Sequence, residues 1–154
     1  MKCNDKASRI VSIEEIGTNA LFVIVHQIVL DANGYLQNGT FYGHVVEERN
    51  AEILPPIITL NYVASYEKIA EEKILQHLFL TDFLVKDKVD ENQGYRTRMI
   101  KAFLTFAKEQ KFPIIKGWLS PIDLENAARL HHFYVEKFGF QIDENHHISL
   151  QIIE

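Results

Sequence analysis

HLFLTDFLVKDKVDENQGYRTRMIKAFLTFA, residues 77–107, is the stretch that decides the fold of this 154-residue chain. It opens with an apolar run, residues 77–85, which is too short for a surface helix and is typical of a strand. A charged turn with a single glycine, Gly94, follows, and apolar residues then recur at helical spacing. These are Met99, Ile100, Phe103, Leu104, Phe106 and Ala107. The pattern predicts a strand, a glycine turn and an amphipathic helix whose first amides point at the turn, where an anion can bind.

Two further elements follow this stretch. Residues 113–119 are predicted to form a short buried strand, and residues 120–138 a second helix. The helix has good boundaries, because Ser120 and Pro121 suit its N-cap and first position and Gly139 suits a left-handed end. The second part of the helix and the two residues after it read NAARLHHFYVEKFGF over residues 126–140.

The order strand, glycine turn, helix, strand and the NAARLHHFYVEKFGF ending resembles the carboxy-terminal half of the GNAT superfamily of acyl-CoA-dependent N-acetyltransferases. The resemblance covers residues 75–154. It implies an α/β fold with a mixed, mostly antiparallel twisted sheet of about seven strands and two main helices. The strands at 77–85 and 113–119 should pair in parallel, joined through the first helix. No linker or repeat interrupts the chain, so we expect one GNAT-like domain over residues 1–154.

The first half of the chain is predicted to be almost wholly β. Strand-forming runs fall at residues 9–16, 21–30, 39–46 and 57–63. Asp31-Ala-Asn-Gly34 supplies a turn, since Asn-Gly tolerates positive φ. Residues 66–72 are expected to form either one short helical turn or a polar link.

Two helices that GNAT domains place between their first two strands are missing here, because only residues 17–20 separate the strands. The acceptor side is therefore open, or another chain covers it. The uncharged run at residues 21–30 leaves strand edges and apolar surface to cover. We expect a homodimer in which the partner occupies the place of the missing helices.

The resemblance implies acetyl-CoA as co-substrate, bound at the end of the first strand, the turn and the second helix. The residues it assigns to CoA are Leu84, Val85, Gln93, Gly94, Tyr95, Arg96, Thr97 and Asn126. The family turn reads R/Q-x-x-G-x-G/A, whereas here Glu91 stands first and Arg96 stands at the last small position. The side chains of Arg96 and Arg98 suit phosphate oxygens, but their positive charges are unfavourable at the positive end of the helix dipole. This indicates either an anionic ligand that compensates the charges or a solvated charged turn.

Tyr134 is the candidate general acid, because a tyrosine on this family helix protonates the departing CoA thiolate. The family has three residues between that tyrosine and the glycine, whereas four separate Tyr134 from Gly139. By that count Tyr134 is turned by about 100° around an α-helix, unless a local bulge restores it. The alternative is a core tyrosine.

Asp82 is the candidate general base, since the attacking amine must lose a proton. Strand alternation places it on a face with Leu78, Leu80 and Leu84, so it is paired, partly exposed or functional. His131 is a second candidate, with a hydrogen-bonded core histidine as the alternative. The pairs at 131–132 and 146–147 do not make a metal site, because adjacent side chains point to different faces.

Composition bounds the remaining possibilities. The net charge is 16 − 21 = −5, which argues against affinity for nucleic acid or anionic membranes. One cysteine, Cys3, allows no internal disulfide or cysteine metal site. The polar start and the lack of a long apolar run predict a cytoplasmic protein. The sequence thus favours acetyl transfer from acetyl-CoA to an amine of an unidentified acceptor, with a catalytically inactive GNAT-like binding or assembly module as the alternative.

Overall fold

The structure is a computed structural model that describes residues 5–47, 55–70, 72–85, 94–119, 129 and 131–152. Its strands are β1 (Asp5–Ile16), β2 (Ala20–Leu30), β3 (Leu36–Glu47), β4 (Ile58–Ile69), β5 (Glu72–Val85), β6 (Ile114–Trp118), β7 (Gln141–Ile142) and β8 (His147–Gln151). One α-helix, α1 (Tyr95–Glu109), and one π-helix (His132–Lys137) complete the described elements.

The strands form an eight-stranded sheet in the order β1-β2-β3-β4-β5-β6-β8-β7. Among the registers that are resolved, five strand pairs are antiparallel, and β5 pairs with β6 in parallel, His77 lying opposite Ile114. The mixed α/β class and the parallel pair joined through a helix are therefore confirmed. The described residues contain eight strands rather than about seven. The expected start of the second helix, including Ser120 and Pro121, lies outside the described residues.

The chain forms two compact units, residues 1–63 with 82–106, and residues 64–81 with 107–154. In the first unit, β1 to β3 and the first half of β4 form an antiparallel meander. Its tight turns follow the sequence, because Gly17 and Gly34 have φ of 64° and 85°, and Asp31 Oδ1 accepts hydrogen bonds from the amides of Asn33 and Tyr35. Residues 5–47 contain three strands and no helix, as expected.

The core of the first unit lies between one face of this meander and α1. Aromatic rings meet there, with Phe103 of α1 lying 6.1 Å from Phe41 and 5.4 Å from Tyr62 between centroids. The other fully buried members from the strands are Phe22, Ile24, Ile58 and Leu60. Burial of these large side chains at roughly 25 cal/mol per Å² is the main stabilisation of the unit.

The second unit is built on the parallel pair and on β8. Leu78 and Leu80 of β5 and Ile115 of β6 are buried. Gly117 sits opposite Ile148 of β8, and a methyl group there would lie 3.1 Å from the Ile148 side chain. The lack of a side chain at Gly117 thus leaves room for the side chains of Ile148 and Leu80 to pack against β6.

The interpretation of residues 66–72 as a helical turn or polar link is wrong. β4 continues to Ile69, and β5 begins at Glu72, so Ala70, with φ of 49°, lies at a tight turn between neighbouring strands. Across this hairpin Ser65 Oγ donates a hydrogen bond to Gln76 Oε1 over 3.3 Å. Pairing with a neighbouring strand overrides the weak helical preference of YEKIAEE. No helix in the described ranges is long and apolar enough to cross a membrane.

Candidate functional site

Gly94 fixes the start of α1. Its φ is 76°, and its carbonyl accepts the first intrahelical hydrogen bond, from the amide of Arg98 at 3.1 Å. A methyl group at this position would lie 3.4 Å from Arg98 Nη1, an ordinary contact. The backbone conformation, and not a lack of space, therefore calls for glycine. The expected helix start after Gly94 is confirmed, with the amides of residues 95–97 at its positive end.

Two arginines and no acid occupy the first turn of α1. The Arg96 guanidinium lies 5.4 Å from the centroid of the Phe83 ring, a cation–π distance. Arg98 forms an ion pair with Glu14 of β1. Glu14 therefore supplies part of the negative charge that the helix start needs. Nothing in the sequence signalled this partner, since 84 residues separate the two side chains.

The other residues assigned to CoA are placed as follows. Tyr95 is buried, and its ring stacks on Phe22 with centroids 4.6 Å apart, so its backbone rather than its ring faces the turn. Thr97 and Val85 are half-buried, and Leu84 is 60% exposed. The structure brings Gly94, Tyr95, Arg96 and Thr97 together at one helix end. Gln93 and Asn126 lie outside the described residues, as does Glu91.

Asp82 is exposed on β5. The two leucines that precede it on the same face, Leu78 and Leu80, are buried, whereas Leu84 beyond it is exposed. The partly exposed alternative therefore holds, and a solvated carboxylate gives no sign of the strain that a buried one would carry. Its role as general base stays a prediction.

Tyr134 lies in the π-helix His132–Lys137. A π-turn closes its hydrogen bonds over five residues instead of four and so absorbs one extra residue. Four residues separate Tyr134 from Gly139, one more than in the family pattern, and the π-turn accommodates that additional residue. The role of Tyr134 as general acid stays a prediction. Gly139 has φ of 77° and ends the helix, as expected.

The ring of Tyr134 is 4% exposed and packs edge-on against Phe133 and Phe140, at centroid distances of 5.0 and 5.6 Å. This environment fits a core tyrosine as well as an acid in an apolar cleft. His131, by contrast, is exposed, so the interpretation of His131 as a core histidine is wrong.

A groove in the second unit was missed by sequence reasoning. It has a volume of about 380 Å³ and lies beside β6, β7 and β8, with Lys116, Asp143, His147 and Ser149 among its lining residues. Asp143 accepts hydrogen bonds from the amides of Asn145 and His147 and pairs with the His147 ring. The backbone hydrogen bond from His147 is the main cause that lowers the Asp143 pKa. Burial and the nearby Lys116 charge lower the pKa of His77.

A buried histidine in the first unit was also missed. His26 Nε2 shares a hydrogen bond of 2.7 Å with Tyr62 Oη, and the imidazole stacks on Phe41 at 3.9 Å. His26 is 2% exposed, and burial, with a smaller contribution from Arg9, lowers its pKa to about 4. Strand alternation over residues 21–30 places His26 with Phe22 and Ile24 and was the signal available for it.

No cluster of three or more His, Cys, Asp or Glu side chains that could hold a metal is found in the ranges that the structure covers. No family model matches the chain, and no curated protein matches it. Among solved structures the chain is similar to one in the crystal structure of the NatC complex bound to Gag peptide and CoA, with 13% identity, a TM-score of 0.49, and coverage of 73% of this chain and 70% of that chain. A likeness at this level assigns neither a family nor an activity.

Proposed function

We propose that this protein is an acyltransferase that moves an acetyl group from acetyl-CoA to an amine. The observation that carries the proposal is the parallel pair β5–β6, connected through α1, with a left-handed glycine directly before the helix, whereas the other strand pairs of resolved register are antiparallel. This is the arrangement that the resemblance to GNAT acetyltransferases implies for CoA binding. The acceptor amine is unidentified.

In the proposed reaction the CoA phosphates bind at the start of α1, close to Gly94, Arg96 and Thr97. A neutral amine attacks the thioester carbonyl carbon, and the C–S bond breaks as the new C–N bond is completed. The amine proton passes to Asp82, directly or through water, and the thiolate takes a proton from Tyr134. The products are the acetylated amine and CoA with its thiol.

The alternative is a GNAT-shaped binding or assembly module without catalysis. Two observations favour it. The Tyr134 ring lies among Phe133 and Phe140, as a structural tyrosine would. Glu14 already compensates Arg98, which reduces the electrostatic need for an anion at the helix start.

Calorimetry with CoA and acetyl-CoA tests the proposal, with Gly94→Val and Gly34→Val as a matched pair. Both glycines have positive φ, so valine imposes similar backbone strain at each, but only Gly94 precedes α1. We expect wild-type and Gly34→Val to bind both ligands and Gly94→Val to lose binding. Absence of wild-type binding at millimolar ligand would refute the enzyme proposal. Binding without turnover on a panel of amines would favour the inactive module.

A further inference from the structure

β1 is an edge strand with apolar side chains in solvent. In the strand order it neighbours only β2. Ile10 and Ile13 are 60% and 57% exposed. Long edge strands with exposed apolar residues pair readily with a further strand unless charges or prolines prevent it. β1 has 12 residues and no proline, and it carries both signs of charge.

A β-bulge in β1 changes which of its side chains lie on the same face of the sheet. The register against β2 shifts between Ile10 and Ser12, so Val11 is the extra residue. Ser12 lies opposite Ile24, Ile10 and Ile13 lie opposite Val25 and Val23, and Arg9 and Glu14 lie opposite His26 and Phe22. Counted along β2, Ile10 and Ile13 lie one position, and Arg9 and Glu14 two positions, on either side of Ser12, so the two members of each pair point to the same face. Without the bulge, Arg9 and Glu14 would point to opposite faces.

We propose that β1 pairs antiparallel with β1 of a second copy of this chain, about a two-fold axis at Ser12. Arg9 then lies opposite the partner's Glu14, and Ile10 lies opposite the partner's Ile13. By symmetry each contact occurs twice, so four isoleucines meet on one face and two opposite-charge pairs form on the other. The two sheets become one continuous sheet.

The apolar contacts and the backbone hydrogen bonds supply most of the attraction, and the charges select the register. A two-fold axis at Ile10 would give the competing register. It places Ser8 opposite the partner's Ile13 and Arg9 opposite the partner's Ser12. Only the axis at Ser12 matches both the isoleucines and Arg9 with Glu14. Glu14 also keeps its ion pair with Arg98, so each interface carboxylate lies between two arginines.

This surface is independent of the proposed acetyl transfer and differs from the one expected at the missing helices. Light scattering at micromolar concentration is the first test. The chain has a mass of 17.9 kDa, and we expect the measured mass to be twice that value. A monomer overturns the proposal.

Two charge reversals on the same strand test the register. Arg9→Glu places like charges opposite each other twice and should raise the dimer dissociation constant by about tenfold or more. Lys6→Glu is the matched control, because Lys6 lies opposite the partner's Gly17 beyond the end of β1 and should change dissociation by less than about threefold. In the competing register Lys6 faces the partner's Glu15, so an equal or larger effect of Lys6→Glu overturns the proposal. Circular dichroism confirms that each variant is folded.

Cysteine cross-linking gives a positive readout in a Cys3→Ser background. Ser12→Cys should form an intermolecular disulfide on mild oxidation, since directly opposite residues have Cβ atoms about 5 Å apart. Lys6→Cys is the control, because the two copies of residue 6 would lie ten strand positions apart, about 33 Å. Equal cross-linking of both variants, or none at Ser12→Cys, overturns the proposal.

Discussion

Tyr62 and Tyr134 are both buried in aromatic clusters, but their backbones differ. Tyr62 lies on the regular strand β4, is 1% exposed and has its hydroxyl 2.7 Å from His26 Nε2. Tyr134 lies in a π-turn and is 4% exposed. Burial and ring contacts do not distinguish a structural tyrosine from a catalytic one. The two tyrosines differ in their backbones, since π-turns are rare and recur at functional sites, and the role of Tyr134 as general acid stays a prediction.

The sharpest test of this comparison is removal of each hydroxyl. If Tyr134 protonates the thiolate, Tyr134→Phe should lower turnover by about two to four powers of ten while the fold survives. Tyr62→Phe is the control and should cost about 1 kcal/mol of stability through one lost hydrogen bond, with turnover unchanged. Acetyl-CoA hydrolysis and an amine panel provide the assay. Unchanged turnover in Tyr134→Phe would show that Tyr134 is not the general acid and that it is a structural tyrosine, as Tyr62 is.

Low pH should destabilise the protein through the buried His26, which bonds to Tyr62. The folded pKa of His26, about 4, lies below the ordinary value of 6.5, so the unfolded chain binds more protons between these values. The free energy of unfolding should therefore fall by about 3 kcal/mol as the pH is lowered from 7 to 4 through this group alone.

Chemical denaturation of wild-type and His26→Gln over this pH range isolates the effect, because the other groups titrate in both proteins. We expect a shallower pH dependence in the variant. Identical slopes would show that His26 is not held neutral by its surroundings.

Gly39 lies against the Tyr62 ring, and a methyl group there would overlap the tyrosine side chain. Gly39→Ala should therefore destabilise the protein by about 1–3 kcal/mol through overpacking. In a Tyr62→Leu background the same change should cost less, because the shorter side chain vacates the space. Thermal unfolding of the four proteins of this cycle measures the coupling. An equal cost in both backgrounds would contradict the close packing.

The smallest effect is expected from shortening the π-turn. Deleting Glu136, an exposed residue, leaves three residues between Tyr134 and Gly139 and should convert the turn to α-helix with a stability change below about 1 kcal/mol. Glu136→Ala is the control, because it removes the ion pair with His132 at constant length. Retained turnover in the deletion variant would show that the π-turn only absorbs the extra residue. Loss of turnover in the deletion alone would assign the π-turn itself a part in the site.

Elements that depend on neighbours along the chain could be predicted from the amino-acid sequence. The helix start after Gly94, the Asp31–Gly34 turn, the left-handed Gly139 and the strands of the first half follow from glycine conformation and apolar periodicity. The parallel pairing of β5 with β6 also followed, because two strands joined through a helix have little other choice.

Features that depend on residues far apart in the chain could be seen only in the folded structure. The extension of β4 and β5 through residues 66–72 needed a neighbouring strand, and the exposure of Asp82 depended on what covers β5. The ion pair of Glu14 with Arg98 and the bond of His26 with Tyr62 join segments 84 and 36 residues apart. Local patterns carry no information about such partners. The spacing between Tyr134 and Gly139 left open whether the helix contains a bulge. Only the backbone hydrogen bonding of the folded chain shows the π-turn.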